Sequence, residues 1–182
     1  MNACSASSPR KKFDLHITLF KPGKMPVPPK LYGGGERAVY WLGKVLVEHG
    51  HQVTIIAHPQ SCIPGAELRA ISKNEPPTWQ KLIPDSTDIV QFSGNFAPST
   101  KKPFLIRVGG NGKPGERFHP NTVFVSQRHA ALYGSRHFIF NGLDESEYSF
   151  SEKREDCAVF LAKARWPVKN FRCAVQMARH AA

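Results

Sequence analysis

The sequence predicts an α/β fold, a Rossmann-like, doubly wound parallel sheet. Three features point to it. Short apolar, β-rich runs alternate with helically spaced stretches along most of the chain. The first strand, helix and second strand follow one another closely, as in a right-handed crossover unit. Three consecutive glycines, Gly33, Gly34 and Gly35, lead into the first helix, where backbone amides can approach an anion.

Residues 14–20 alternate and are rich in β-formers, so they read as the first strand. A loop rich in Pro and Gly, 21–35, follows. Over 36–49 the apolar residues Ala38, Val39, Leu42, Val45 and Leu46 recur on one helical face. Glu36 falls in the first turn, where the helix dipole favours a carboxylate. Gly50 follows the last turn as a left-handed cap. Residues 53–57 form a second strand and 67–71 a weaker third, and 78–83 form a short helix after Pro76 and Pro77. Further strands are expected at 88–92, 104–108 and 122–125. Ser126 is placed to cap a helix over 127–133 that Gly134 would end. A short strand is expected at 137–140. In such a sheet ligands collect beyond the carboxyl ends of the strands, which singles out the loops 21–35, 93–100 and 109–121.

The pattern divides the chain into a flexible polar tail (1–12), an amino-terminal lobe (13–140) and a polar, acidic linker (141–156). A further strand (157–162) and a helix (169–179) fill the last stretch, 157–182. A lone strand–helix unit cannot bury its own apolar face. The expectation is therefore an incomplete, truncated second lobe that docks on the first lobe or on a partner.

The 182 residues are 41% hydrophobic and 21% charged, enough to build a substantial core. No apolar run approaches the roughly 20 residues that span a bilayer, and the polar start lacks the apolar stretch of a secretory signal. A cytoplasmic protein is the expectation. The formal net charge of +11 favours anionic partners such as nucleotide phosphates or acidic lipid headgroups. No recognition motif accompanies the charge, so nucleic acid is not the expected partner. Cys4, Cys62, Cys157 and Cys173 are widely scattered and read as free thiols. His49 and His51 have no third ligand nearby and there is no D-x-D pair, so no metal is expected. His16, His119 and His129 read as structural.

The stretch from Tyr32 to Thr54, Tyr-Gly-Gly-Gly-Glu-Arg-Ala-Val-Tyr-Trp-Leu-Gly-Lys-Val-Leu-Val-Glu-His-Gly-His-Gln-Val-Thr, resembles the opening of family 4 glycosyltransferases. Later segments resemble that family in order: Asp88-Ile-Val, Phe124-Val-Ser-Gln-Arg-His-Ala130, Asn141-Gly-Leu-Asp144 with Tyr148, and 160–170. The resemblance implies the glycosyltransferase B architecture, two Rossmann-like lobes facing a cleft. It implies a retaining hexosyltransferase that moves a sugar from a nucleotide diphosphate donor to a glycan or lipid-linked acceptor, without a metal or other cofactor. Carried over, Gly33, Gly34 and Gly35 would lie near the donor phosphates. Lys163 and Lys169 match the cations that stabilise the departing diphosphate, a role fixed charges suit. Glu36, Asn111 and Ser126 would line the acceptor side of the cleft.

Two departures stand out. Arg107-Val-Gly-Gly-Asn-Gly112 occupies the place of the family's T-x-H-G-N, so Gly109 replaces a histidine and no proton-carrying side chain stands there. The family's later paired-glutamate segment, which holds donor sugar and ribose, is not in this sequence. The resemblance thus implies an enzyme incomplete alone, working with a second-lobe chain or as a homo-oligomer, and in contact with the inner face of a membrane. The alternative is a non-catalytic binding or interaction module.

Overall fold

The computed structural model describes residues 14–71, 79–95, 98–113, 115–153 and 155–181. The expected tail, 1–12, lies outside them, as does the start of the helix expected over 78–83. The elements in order are β1 (His16–Lys21), α1 (Gly34–Glu48), β2 (Gln52–Ala57), β3 (Glu67–Ala70), β4 (Ile89–Ser93), β5 (Phe104–Val108), β6 (Thr122–Phe124), α2 (Gln127–Leu132) and α3 (Phe171–Ala181). Single 3-10 turns cover Trp79–Leu82, Glu145–Glu147 and Pro167–Lys169. The chain divides into one unit that ends at Asp144 and a second, Glu145–Ala182.

The first unit is a six-stranded sheet in the order β3-β2-β1-β4-β5-β6. Every pairing is parallel. This is the Rossmann-like α/β sheet, with its strand order reversing between β1 and β4. The central strands β1, β2 and β4 are buried on both faces, as parallel strands are. On one face Ile17 and Leu19 of β1 and Val53, Ile55 and Ala57 of β2 meet α1 through Val39, Leu42 and Leu46. On the other, Phe20, Ile56, Val90, Phe92, Ile106 and Phe124 pack with Trp79, Phe118 and Tyr133. Aromatic edges lock that second layer: Phe20 and Phe92 both lie against Trp79, with ring centroids 5.0 and 5.5 Å away. On the first face, Gly43 lets α1 approach the sheet. A Cβ there would stand 2.6 Å from Ile63 Cδ1 and 3.2 Å from Leu19 Cδ1.

Three local expectations change. Residues 137–140 make only a single parallel bridge, Phe124 with Phe138, because the chain leaves the sheet edge after one pairing. Residues 157–162 form no strand: no neighbouring strand pairs with them, and Val159 and Leu161 are 81% and 95% exposed. The last helix begins at Phe171 and not at Lys169. Asn170 takes a left-handed conformation (φ 50°) that ends the turn Pro167–Lys169 first. Among its described residues the second unit buries none fully; there the rings of Phe160 and Phe171 meet with centroids 5.1 Å apart.

The opposite end of the sheet carries a buried polar cluster. His16 is 5% exposed, and its ring nitrogens bond Ser86 Oγ and Thr54 Oγ1, each at 2.8 Å. Burial pushes the His16 pKa below the ordinary 6.5, outweighing the nearby carboxylates of Glu67 and Asp88. The folded state therefore resists protonation that the unfolded chain accepts. Stability contributed by the neutral ring is present above the unfolded pKa and lost as pH falls through the folded one. The unfolding free energy from urea titration should decline as pH drops below 6.5, and His16→Gln should flatten that decline.

Candidate functional site

The sheet order places the candidate site. From β1 the chain crosses to β2 over α1's face; from β4 it proceeds to β5 on the other side. The carboxyl ends of β1 and β4 therefore diverge and leave a crevice between their loops. By register, Lys21, Ser93 and Arg107 lie side by side on α1's face of this rim. Ser93 pairs with Arg107, and Phe20 pairs with Phe92 one position before Lys21 and Ser93.

The loop after β1 is anchored deep in the molecule. Val27 is fully buried; its amide donates to Ser61 Oγ (3.0 Å) and its carbonyl accepts from the Cys62 amide (2.7 Å). The peptide bond from Val27 to Pro28 is cis. The chain then reaches the three glycines, which differ in role. A Cβ on Gly33 would meet Pro29 Cβ at 2.8 Å and Cγ at 2.9 Å, so the close approach requires glycine. Gly34 faces open space and Gly35 lies near Lys21 Cε, where a Cβ would be 3.8 Å away. The sequence expectation that this segment stands at the helix start holds: α1 begins at Gly34.

The charge at this helix end is already met from within the chain. Glu36, in the first turn and 8% exposed, receives a 2.7 Å hydrogen bond from Lys21 Nζ. Its carboxylate sits where the helix dipole is positive, and Lys21 balances it. Arg37 reaches back to the carbonyls of Pro29 and Leu31 at 3.4 and 3.5 Å.

Along the other rim loop, Asn111 is exposed. The Gly112 amide donates to Tyr133 Oη (2.9 Å), while the Glu116 carboxylate accepts from the Lys113 amide (2.7 Å) and from the Asn95 side chain. Those bonds hold the Glu116 carboxyl below the usual carboxylate range. Ser126 caps α2, its side chain accepting from the His129 amide at 3.1 Å. Lys163 and Lys169 belong to the second unit: Lys163 Nζ stands 5.2 Å from the centroid of the Trp166 ring, and Lys169 ends the turn Pro167–Lys169. The first unit thus brings together Gly33, Gly34, Gly35 and Glu36. Asn111 and Ser126 sit on the loops after β5 and β6.

Sequence reasoning missed Arg107 as a site residue. Its guanidinium lies against Gly109, where a Cβ would be 3.7 Å from Nη1 and 3.9 Å from Nη2. Nη2 donates to Asn141 Oδ1. Among the described residues it pairs with no carboxylate. Burial lowers its pKa from the ordinary arginine value, and arginine nonetheless stays charged. The signal in the sequence is a cation, Arg107, two residues before a glycine that leaves it uncovered, Gly109. Ser93 Oγ, beside it in the sheet, is buried and unpartnered among the described residues.

A concavity of about 550 Å³ lies at the opposite, amino edge, lined by His16, His51, Ser86 and Asp88 among others. It is remote from the carboxyl rim, where parallel sheets of this order bind ligands. Among the described residues no three His, Cys, Asp or Glu side chains gather as a metal-ligand set. No helix there is long and apolar enough to cross a membrane.

Fold and rim together define an α/β protein with a Rossmann-like, all-parallel sheet. No protein-family profile matches the chain, and no curated protein matches its sequence. Matches among solved structures include AviGT4, a glycosyltransferase involved in avilamycin A biosynthesis. The two superpose with a TM-score of 0.57 and 21% identity over 74% of this chain. The match covers 44% of AviGT4, so this chain corresponds to less than half of that protein. At that identity the likeness establishes the fold.

Three substitutions test the geometry. Lys21→Met leaves Glu36 buried without its counter-ion and should lower the unfolding free energy by about 3 kcal/mol. Adding Glu36→Leu should restore most of it, as read by urea denaturation. Ser126→Ala removes the cap of α2 and should cost about 1 kcal/mol in the same assay.

Proposed function

We propose that the chain is glycosyltransferase-like and handles a nucleotide diphosphate sugar, with transfer of a hexose to a glycan or lipid-linked acceptor and retention at the sugar carbon. The observation that carries this reading is the glycine segment entering α1 at the switch point of a 3-2-1-4-5-6 sheet, on a fold shared with a glycosyltransferase. In this reading the bond between the sugar and the diphosphate breaks, a new bond forms from the sugar to the oxygen of an acceptor hydroxyl, and the nucleoside diphosphate departs as an anion that takes up the hydroxyl's proton. Gly33, Gly34 and Gly35 admit the donor phosphates close to the backbone, and Lys163 and Lys169 offset the charge that develops on the leaving group. Glu36, Asn111 and Ser126 form the acceptor side. No metal takes part. The protein works in the cytoplasm, and its excess of cations suits an anionic membrane surface.

A second reading is a binding module without turnover. It is favoured by Gly109, which has no side chain to carry a proton at its own position on the rim.

Calorimetric titration of the full chain with a panel of nucleoside diphosphates and their sugars separates the outcomes. The transfer reading expects saturable heat with at least one base, weakened about tenfold or more by Lys163→Ala with Lys169→Ala, and release of nucleoside diphosphate when an acceptor mixture is added. Saturable binding with no release selects the binding module. Absence of heat across the panel rejects both.

A further inference from the structure

The carboxyl rim carries several cations, and most are already engaged. Lys21 is paired with Glu36 at 2.7 Å, and Arg37 is turned onto backbone carbonyls of its own loop. Arg107 differs from both. It is half-buried and pairs with no carboxylate among the described residues, and its one hydrogen bond given there is to a neutral amide, Asn141 Oδ1. A desolvated guanidinium without an anion is costly to hold, because its lost hydration is not replaced. That bond uses Nη2 and orients the planar fork, leaving Nη1 and Nε as donors.

The surroundings complete a receptor. Ser93, Arg107's register partner on β4, has a buried hydroxyl with no hydrogen-bond partner among the described residues. Such a group is worth most when something arrives to accept or donate. Gly109 leaves the space over the fork clear, since its missing Cβ would lie only at van der Waals distance from both terminal nitrogens. Immediately after Ser93, Gly94 turns the chain away with φ 109°, its amide donating to the Arg107 carbonyl at 2.9 Å. The turn ties the ends of the two strands together. A fixed planar fork beside a hydroxyl suits a ligand with several acceptor oxygens on one centre.

We propose that Arg107, oriented by Asn141 and assisted by Ser93, is a binding site for a phosphate group at the β4–β5 corner of the rim. It uses residues other than the glycine segment, Lys163 and Lys169, and it stands whether or not the chain transfers sugars. The phosphate belongs to a free phosphate, a nucleotide or a phospholipid headgroup, sources that share this chemistry.

The test is titration of the full chain at low ionic strength with inorganic phosphate, glycerol 3-phosphate and a nucleoside diphosphate, followed by amide chemical shifts in two-dimensional NMR. Phosphate should move the amides of Gly94, Gly109 and Gly110 in a saturable way. Arg107→Gln should weaken binding about tenfold or more, and Ser93→Ala by a smaller factor, in line with loss of a charged and a neutral hydrogen bond. Arg107→Lys keeps the charge without the fork and should also bind several-fold more weakly. It serves as well if the glutamine variant proves unstable. Lys101→Gln, an exposed cation on the approach to β5, should change nothing. Tightest binding of glycerol 3-phosphate, of the diphosphate or of inorganic phosphate assigns the source to headgroup, nucleotide or free anion. The site is refuted by no saturable shift with any of the three, by shifts confined to other regions, or by Arg107→Lys binding as tightly as the unaltered chain. Because inorganic phosphate is one of the probes, loss of nucleotide-sugar binding in the calorimetric panel leaves this result unaffected.

Discussion

The structure depends on the pairing of β1 with both β2 and β4. β1 is flanked on each side by parallel partners, so neither neighbour can be reached by a tight hairpin. Each connection must cross over a face of the sheet. Right-handed crossovers then send the chain over opposite faces on the two sides of β1. That one constraint buries the strands on both faces and parts the loops at their carboxyl ends. It also orders the first helix, whose amino terminus must arrive at the rim.

Charge at the rim follows from the same arrangement. α1 brings the positive end of its dipole and a carboxylate, Glu36, to a place where Lys21 ends β1. The pair neutralises the corner and ties the helix to the strand it follows. One strand further on, the balance is not struck. Arg107 and Ser93 lie in register with polar groups that nothing described in the chain satisfies fully. A fold of this size can hold such groups only against a large apolar core, here the two layers built on Leu19 and Ile55 on one side and Phe20 and Phe92 on the other. Among its described residues the second unit builds no such core, with Val159, Leu161 and Val168 all largely exposed.

Much of the fold was legible from the chain alone because its signals are local. The helical spacing of Val39, Leu42 and Leu46 names the face of α1 that meets the sheet. Ser126 and Gly134 bracket α2 as expected: the serine caps it and the glycine takes φ 68°. Where the reading failed, the deciding partner was distant. Residues 157–162 have the composition of a strand, but a strand exists only when another supplies its hydrogen bonds. Residues 137–140 found such a partner at a single position. Asn170 moved the start of α3 by adopting a conformation that composition does not dictate.

The sequence by itself determined most of the strands and helices of the first unit, residues 137–140 excepted, and that they alternate toward a parallel sheet. Backbone propensity and apolar spacing act over a few residues and need no knowledge of what lies across the fold. Only the tertiary structure decided which charges are balanced. Lys21 meets Glu36 across fifteen residues, and Arg107 meets Asn141 across thirty-four. Whether a cation finds a carboxylate depends on strand order and register, which are set when the faces of the sheet close over their cores.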